Sequence, residues 1–234
     1  MEPVPLDGLQ PSAAPGVHET VLGFFPGSLR GNALDAPAGH GRLSLALKAK
    51  GFDVWALDIV PPNLEGWGVH CQGADMNKAL PCPDAFFDAV VCVEGIEHLE
   101  NPHAVIREFG RVLKAGGTLI VTTPNIQNLA SRVKFLFFGS FRYFNAKVDI
   151  VDRSLAGHIN PVSFTELEMV LSRSGFEVTA VGTNRLMRPF GGPVLLAVSR
   201  FINRWFNKAF HERLQTPELL FGEVLIVRAR RRAS

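Results

Sequence analysis

Residues 85–125 read AFFDAVVCVEGIEHLENPHAVIREFGRVLKAGGTLIVTTPN, and their pattern decides the fold. Ala85 to Val93 is a short apolar run rich in Val and Phe, the mark of a strand buried on both faces. Asn101-Pro102 sets an N-cap before a proline at the first helical position, and opens a helix to Leu113. Ala115-Gly116-Gly117 ends that helix, and Thr118 to Thr123 is a second buried strand. Strand, helix and strand in this order make a parallel βαβ unit.

The same alternation extends in both directions. Upstream, Val17 to Phe25 reads as a helix broken by Pro26-Gly27, and Asn32 to Asp35 is a short apolar run ending in an acid. Leu43 to Lys50 is a helix stopped by Gly51, and Phe52 to Ile59 is a strand whose end carries Asp58. Downstream, Phe164 to Ser174 is a helix closed by Gly175, followed by strands at Phe176 to Val181 and Phe221 to Ala229. The expected class is α/β: a doubly wound, mostly parallel sheet with helices on both faces. In such sheets a ligand lies beyond the carboxyl ends of the strands, where the loops after Leu34, Ile59, Val93 and Thr123 emerge.

The chain has 234 residues, enough for one large domain, and 47% of them are hydrophobic against 20% charged, which excludes a disordered chain. Three cysteines, Cys71, Cys82 and Cys92, close no disulfide framework and lack zinc-ligand spacing; a reducing, cytoplasmic setting is expected. No apolar run is long enough for a membrane span, and Met1 to Pro15 does not read as a secretory leader.

The net charge of +2 hides a strong asymmetry. Asn125 to Val148 carries Arg132, Lys134, Arg142 and Lys147 and no acid. Thr183 to His211 carries five cations and no acid, and the tail carries Arg228, Arg230, Arg231 and Arg232, which leaves −11 for the remainder. An acidic body with basic appendages points to an anionic surface or ligand.

The polar residues at the loop ends form a pattern. Asp35-Ala36-Pro37-Ala38-Gly39-His40-Gly41 has two alternating glycines that let a ligand approach the backbone. Asp58, followed by Ile59, ends the next strand, where an acid can take both hydroxyls of a ribose. Asp75 can accept an amino proton while Met76 packs on a ring. Glu94, Glu97 and His98 are spaced i, i+3, i+4, and on a helical turn they share a face. His158 follows Gly157 in the loop before the helix near Ser163; it is a candidate to take a proton from a hydroxyl, or else to hold the loop.

These residues bring the chain to a family. LDAPAGHGRLS, ALDI and the stretch ADMNKALPCPDAFFDAVV through IVTTPN resemble the class I S-adenosylmethionine-dependent methyltransferases, and GHINPVSFTELEMVLSRSGFEV extends the likeness to about two thirds of the chain. The resemblance implies a Rossmann-like methyltransferase fold of seven strands with a reversed last strand at FGEVLIVRA. It implies one domain over 1–234, with a cofactor-binding core at 31–124, helical cap insertions at 126–160 and 182–217, and a basic tail at 228–234. Asp35, Pro37, Gly39 and Gly41 would then surround the methionine moiety of S-adenosyl-L-methionine, Asp58 and Ile59 the ribose, and Asp75 and Met76 the adenine, with Glu94 touching the cofactor. Pro37 is a departure, since the family usually has glycine there.

Glu97, His98 and His158 are the catalytic candidates. The primary reading gives them no metal. The alternative lets Glu94, Glu97 and His98, with His158 behind them, ligate a divalent ion, because certain metal-dependent O-methyltransferases are similar at E-x-x-E-H. A third reading is a non-catalytic relative of the fold acting as a peripheral membrane or complex partner.

Both basic insertions leave the sheet at its carboxyl end. SRVKFLFFGSFRYF sets five Phe and the single Tyr among cations. Pro193 to Ala209 reads as an amphipathic helix, with Arg200, Arg204 and Lys208 on one face and Leu195, Val198, Ile202, Trp205 and Phe206 on the other. A cationic face opposite Trp and Phe suits an anionic membrane surface, so the expected acceptor is a small or lipid-linked molecule and the expected location the cytoplasm, peripheral on the inner face of a membrane. Nucleic acid ranks below the membrane, because the apolar residues come in a continuous block and the pI is only about 8.5.

Overall fold

The computed structural model describes residues 13–25, 27–144, 157–187, 194, 197, 201 and 216–233. Seven strands form one sheet: β1 (Gly31–Asp35), β2 (Phe52–Asp58), β3 (His70–Gly73), β4 (Phe87–Cys92), β5 (Leu113–Pro124), β6 (Phe176–Thr183) and β7 (Val224–Arg231). Their order is β3-β2-β1-β4-β5-β7-β6. The first five run parallel, while β7 is antiparallel to both of its neighbours, β5 and β6. This is the doubly wound sheet with a reversed last strand that the sequence implied.

The helices are α1 (Val17–Gly23), α2 (Arg42–Ala49), α3 (Pro102–Val112), α4 (Leu129–Phe138), α5 (Phe164–Arg173) and the short α6 (Pro217–Phe221). Strand side chains alternate between two cores. Leu34, Val90 and Leu119 join Ile106 and Phe109 of α3 and Phe164 and Leu171 of α5 on one face. Ala33, Val91 and Ile120 join Val17 and Val21 of α1 and Leu43 and Leu47 of α2 on the other. Burial on both faces explains the continuous apolar runs of β4 and β5. As the spacing predicted, Asn101 caps α3, its side chain accepting from the Ala104 N–H with Pro102 at the first turn.

Some boundaries differ from the sequence reading. The glycine pair at Gly116-Gly117 does not separate helix from strand: α3 stops at Val112 and β5 begins at Leu113, with Gly116 at φ +76° inside it. The last strand starts at Val224 rather than Phe221, because Pro217 to Phe221 form α6. Arg228, Arg230 and Arg231 therefore belong to β7, and the basic tail is largely sheet. The edge strand β3 and the helix α4 were not read from the sequence. The amphipathic helix read over 193–209 lies outside the described residues, save for Val194, Ala197 and Phe201, which are helical and exposed. Residues 145–156 of the first insertion also lie outside them.

Candidate active site

The strand order reverses between β1 and β4, and the candidate residues gather at the carboxyl ends around that point. β1 delivers Asp35, which is 1% exposed. Ser44 Oγ of α2 donates to its Oδ2 at 2.6 Å, and its Oδ1 has no partner among the described residues. Burial pushes this carboxyl up to about 7, against the pull of the Ser44 bond, with a further push from Asp58.

The glycine loop turns tightly between β1 and α2. Ala36–Pro37 is a cis peptide bond, and Gly39 and Gly41 take φ of +52° and +82°. A Cβ at Gly41 would collide with the Leu64 side chain. A Cβ at Gly95 would collide with the Pro37 ring and lie 3.1 Å from Cys92 Sγ. Pro37 is thus seated against a glycine from the β4 loop. Asp58, at the end of β2, accepts from the Gly39 N–H at 2.8 Å through Oδ2, joining the first two loops.

Two cavities meet at this junction. One, of about 150 Å³, is lined by residues including His18, Asp35, Pro37, Gly39, Arg42, Asp58 and Glu94. The second, of about 180 Å³, is lined by Pro37, Asp58, Ile59, Asp75, Met76, Gly95 and His98 among others. Pro37 and Asp58 belong to both, so the pair forms a groove along the strand ends. Every residue read from the sequence as cofactor-binding lines it, except Gly41, which shapes the turn. Asp75 is fixed in a tight turn by the Asn77 N–H, which donates to its Oδ1 at 2.9 Å and, with Lys78, holds its carboxyl below the ordinary range. Ile59 is half exposed at the groove edge, and Met76 is buried beneath it.

The E-x-x-E-H run separates in space. Glu94 has φ +48°; its carboxylate accepts from Thr122 Oγ1 at 3.0 Å, and its N–H donates to the same oxygen. Burial pushes Glu94 up to about 7. Ile96 to His98 form a 3₁₀ turn rather than an α-helical one, so the three side chains do not share a helical face. Glu97 is fully buried, and neither carboxylate oxygen has a hydrogen-bond partner among the described residues. Burial, then the Glu94 charge, push its carboxyl well above the usual range. His98 Nδ1 donates to the Gly157 carbonyl at 3.0 Å.

His158 comes from the distant loop before α5 and stands edge-on to His98, ring centroids 4.7 Å apart. The backbone N–H groups of Ile159 and Asn160 both donate to the Glu97 carbonyl at 2.9 Å, which fixes this loop against the 3₁₀ turn. His158 Nδ1 is buried without a partner among the described residues, and burial, then His98, lower its pKa. Glu97, His98 and His158 each aim one ligand atom at a common point, all within 4.8 Å of one another; Glu94 is not in this group.

Sequence reading missed a further buried acid whose charge acts on Glu94. Glu223, just before β7, is 5% exposed, and its carboxylate accepts from Tyr143 Oη at 2.7 Å, Arg185 Nη2 at 2.8 Å and Asn184 Nδ2 at 3.1 Å. The Arg185 guanidinium beside it brings its carboxyl down to about 2. The one signal in the sequence was a lone acid inside the apolar run FGEVLIV.

A methyltransferase-domain model matches residues 13–181. The ubiquinone biosynthesis O-methyltransferase of Xanthomonas campestris pv. campestris is 33% identical over 131 residues, 52% of each chain. That of Xylella fastidiosa is 34% identical over 104 residues, 39% of this chain and 41% of its own. The chain spans about half the length of the curated relatives it matches. Among solved structures, the Haloferax volcanii complex of the Trm112 methyltransferase activator with a methyltransferase matches with a TM-score of 0.60 and 17% identity, over 93% of this chain and 91% of that one. A SAM-dependent methyltransferase from Archaeoglobus fulgidus matches with a TM-score of 0.58 and 16% identity, over 91% and 90%. At those identities the likeness is one of fold. With the family model covering most of the chain and the groove lying at the switch point of the sheet, this chain belongs to the class I S-adenosylmethionine-dependent methyltransferase family.

Proposed function

We propose that the protein methylates a hydroxyl oxygen of a small acceptor, lipid-linked and held near a membrane surface. The observation that carries the reading is the groove itself: its far wall includes His98, and His98 touches His158. The donor set fits S-adenosylmethionine. Asp35 has a buried oxygen with no partner among the described residues, which suits an ammonium group; Asp58 ends β2 in the same groove, which suits ribose hydroxyls; Asp75 lies beside the buried Met76, which suits an adenine ring. When bound, that cofactor supplies an electrophilic methyl group on a sulfonium. The chain's own residues align, exclude water and handle a proton. His158, with a lowered pKa, is neutral near pH 7, and we assign its Nδ1, which has no partner among the described residues, the role of receiving the acceptor's hydroxyl proton. The His98 ring and the Glu97 carbonyl hold it in place.

The lipid-linked acceptor draws on the relatives' activity in ubiquinone biosynthesis and on α4. That helix follows β5 at the groove end of the sheet and exposes Leu136, Phe137 and Phe138 by 71% or more, beside Arg132 and Lys134. Calorimetric titration with S-adenosylhomocysteine tests the reading, followed by turnover on soluble phenols and their prenylated counterparts. Asp58→Ala is expected to abolish both binding and turnover; unaltered binding would sink the reading.

A second reading has a specific observation in its favour. Glu97, His98 and His158 converge, and the Nδ1 donation of His98 leaves its Nε2 for a ligand. A divalent ion there would polarise the acceptor hydroxyl. A chelator is expected to remove turnover and spare S-adenosylhomocysteine binding in this version; turnover unchanged by chelation excludes it.

A further inference from the structure

The turn after α4 holds a backbone conformation that its sequence would not choose. Tyr143 has φ +69°, in the left-handed region that a bulky aromatic residue rarely enters. Such strain persists only where the surroundings over-determine it, and it gathers at functional sites. Tyr143 is tied at both ends. Its Oη donates to Glu223 Oε1 at 2.7 Å, and its backbone hydrogen-bonds to the His158 ring. The turn is also seated on α4. The Arg142 N–H donates to Ser131 Oγ at 3.0 Å, and Lys134 Nζ donates to the Phe141 carbonyl at 2.8 Å. The Arg142 guanidinium lies 4.9 Å from the centre of the Tyr143 ring.

The acid that takes the tyrosine hydroxyl is itself fixed. Arg185 donates to both Glu223 oxygens, and Asn184 Nδ2 donates to Oε2 at 3.1 Å. The Glu223 carbonyl accepts from the Asn125 N–H at 3.1 Å, and the Glu223 N–H donates to the Arg185 carbonyl at 3.2 Å. A carboxylate held this way is a rigid anchor. What the turn reaches from that anchor is His158. Phe144, the residue after Tyr143, is buried, and its ring centroid lies 5.3 Å from that of His158. We propose that Tyr143 is a positioning residue for His158: its hydroxyl, clasped to Glu223, holds the turn in its left-handed form, and the turn sets the orientation of the imidazole through Phe144 and the Tyr143 backbone. The proposal rests on the reading above that His158 acts in methyl transfer, as proton acceptor or as metal ligand.

The experiment reads the His158 ring by NMR in protein carrying isotope-labelled histidine, its signals identified by their loss in His158→Gln. Tyr143→Phe removes only the hydroxyl. Tyr143→Gly removes the side chain and leaves a residue at ease with positive φ. In both, the His158 signals are expected to shift and broaden, while those of His18 in α1 and His70 in β3 stay in place and S-adenosylhomocysteine affinity is unchanged. Glu223→Gln, whose amide oxygen can still accept from Tyr143, is expected to keep the His158 signals near their original positions, and Glu223→Ala to displace them. Turnover of a soluble phenol is expected to fall about 10-fold or more in Tyr143→Phe, with KM for S-adenosylmethionine unchanged, as misplacement of a reacting group predicts. His158 signals unmoved in Tyr143→Phe overturn the proposal. Signals kept in Tyr143→Gly overturn it too, because a left-handed backbone then suffices without the clasp. Displacement of every histidine signal together with lost S-adenosylhomocysteine binding, a general loss of structure, also overturns it. The NMR comparison needs neither cofactor nor acceptor, so failure of the His158 reading shows apart from it: undiminished turnover in His158→Gln overturns that reading, and this proposal with it.

Discussion

Asp35 is the clearest case of one residue held in a costly state. It sits at 1% exposure, with one oxygen bonded and the other without a partner among the described residues, and its carboxyl is pushed up to about 7. In the unfolded chain the same group ionises near 4. Between those values the folded protein binds more protons, so the stability Asp35 contributes is complete below about pH 4 and is lost as pH rises through about 7. Glu94, also pushed up to about 7, acts in the same direction. Glu223, brought down to about 2, acts in the opposite direction but only below about pH 4.5. His18 and His158, both lowered by burial, also act in the opposite direction but only below about pH 6.5. The ligand-free protein is therefore expected to melt at a lower temperature at pH 8 than at about pH 6.5. Asp35→Asn is expected to flatten that slope, each pK unit being about 1.4 kcal/mol, while weakening S-adenosylhomocysteine binding. Thermal melts across pH decide it; a slope in Asp35→Asn as steep as in the parent places the titration elsewhere.

Among the elements, the loops at the strand ends do more than the strands. The β1 and β4 loops lock through Pro37 and Gly95, and the β1 and β2 loops through Gly39 and Asp58. Gly95→Ala is expected to cost about 1–3 kcal/mol, since its Cβ must displace a rigid proline ring and a buried sulfur, and to loosen the groove. A chemical denaturation midpoint shifted down, with a weaker S-adenosylhomocysteine titration, is the expected result; an unshifted midpoint means the loops yield easily. The strands β1, β2, β4 and β5 were legible in the sequence because burial on both faces leaves continuous apolar runs. The edge strand β3 was concealed, since its HCQG carries no apolar pattern, and so was α4, whose exposed Phe side chains break the helical stripe. The residues that line the groove were readable as a group because they sit at the ends of legible strands. The Glu97–His98–His158 cluster was only partly so, because His158 arrives from 60 positions beyond His98 and spacing says nothing of such a meeting. The meeting of Glu223 with Tyr143 and Arg185 was hidden for the same reason, and only the lone acid inside FGEVLIV hinted at it.

At the scale of the whole molecule, the cations of α4 and the exposed aromatic side chains beside them stand at the end of the sheet that carries the groove. Among the described residues no helix is long and apolar enough to cross a membrane. A lipid-facing role for this end predicts that the protein sediments with anionic vesicles at low salt and is released at high salt, because ions screen the cationic contribution. The double substitution Phe137→Ser and Phe138→Ser is expected to lower the pelleted fraction several-fold, each phenylalanine contributing about 1.5–3 kcal/mol when buried, and to leave S-adenosylhomocysteine affinity unchanged. Pelleting that is insensitive to both salt and the substitutions removes the idea. The reversed strand bears on how the sheet is completed. β7 lies between β5 and β6, and among the described residues β7 is the only sheet neighbour of β6. During synthesis β6 therefore emerges with no strand to pair with, and stays an open edge until residues 224–231 have left the ribosome and slid between it and β5. The sheet is finished by insertion and not by extension, so a chain interrupted between Thr183 and Val224 carries two unpaired edges in its interior and is a substrate for chaperones or for aggregation, whatever the state of its active site.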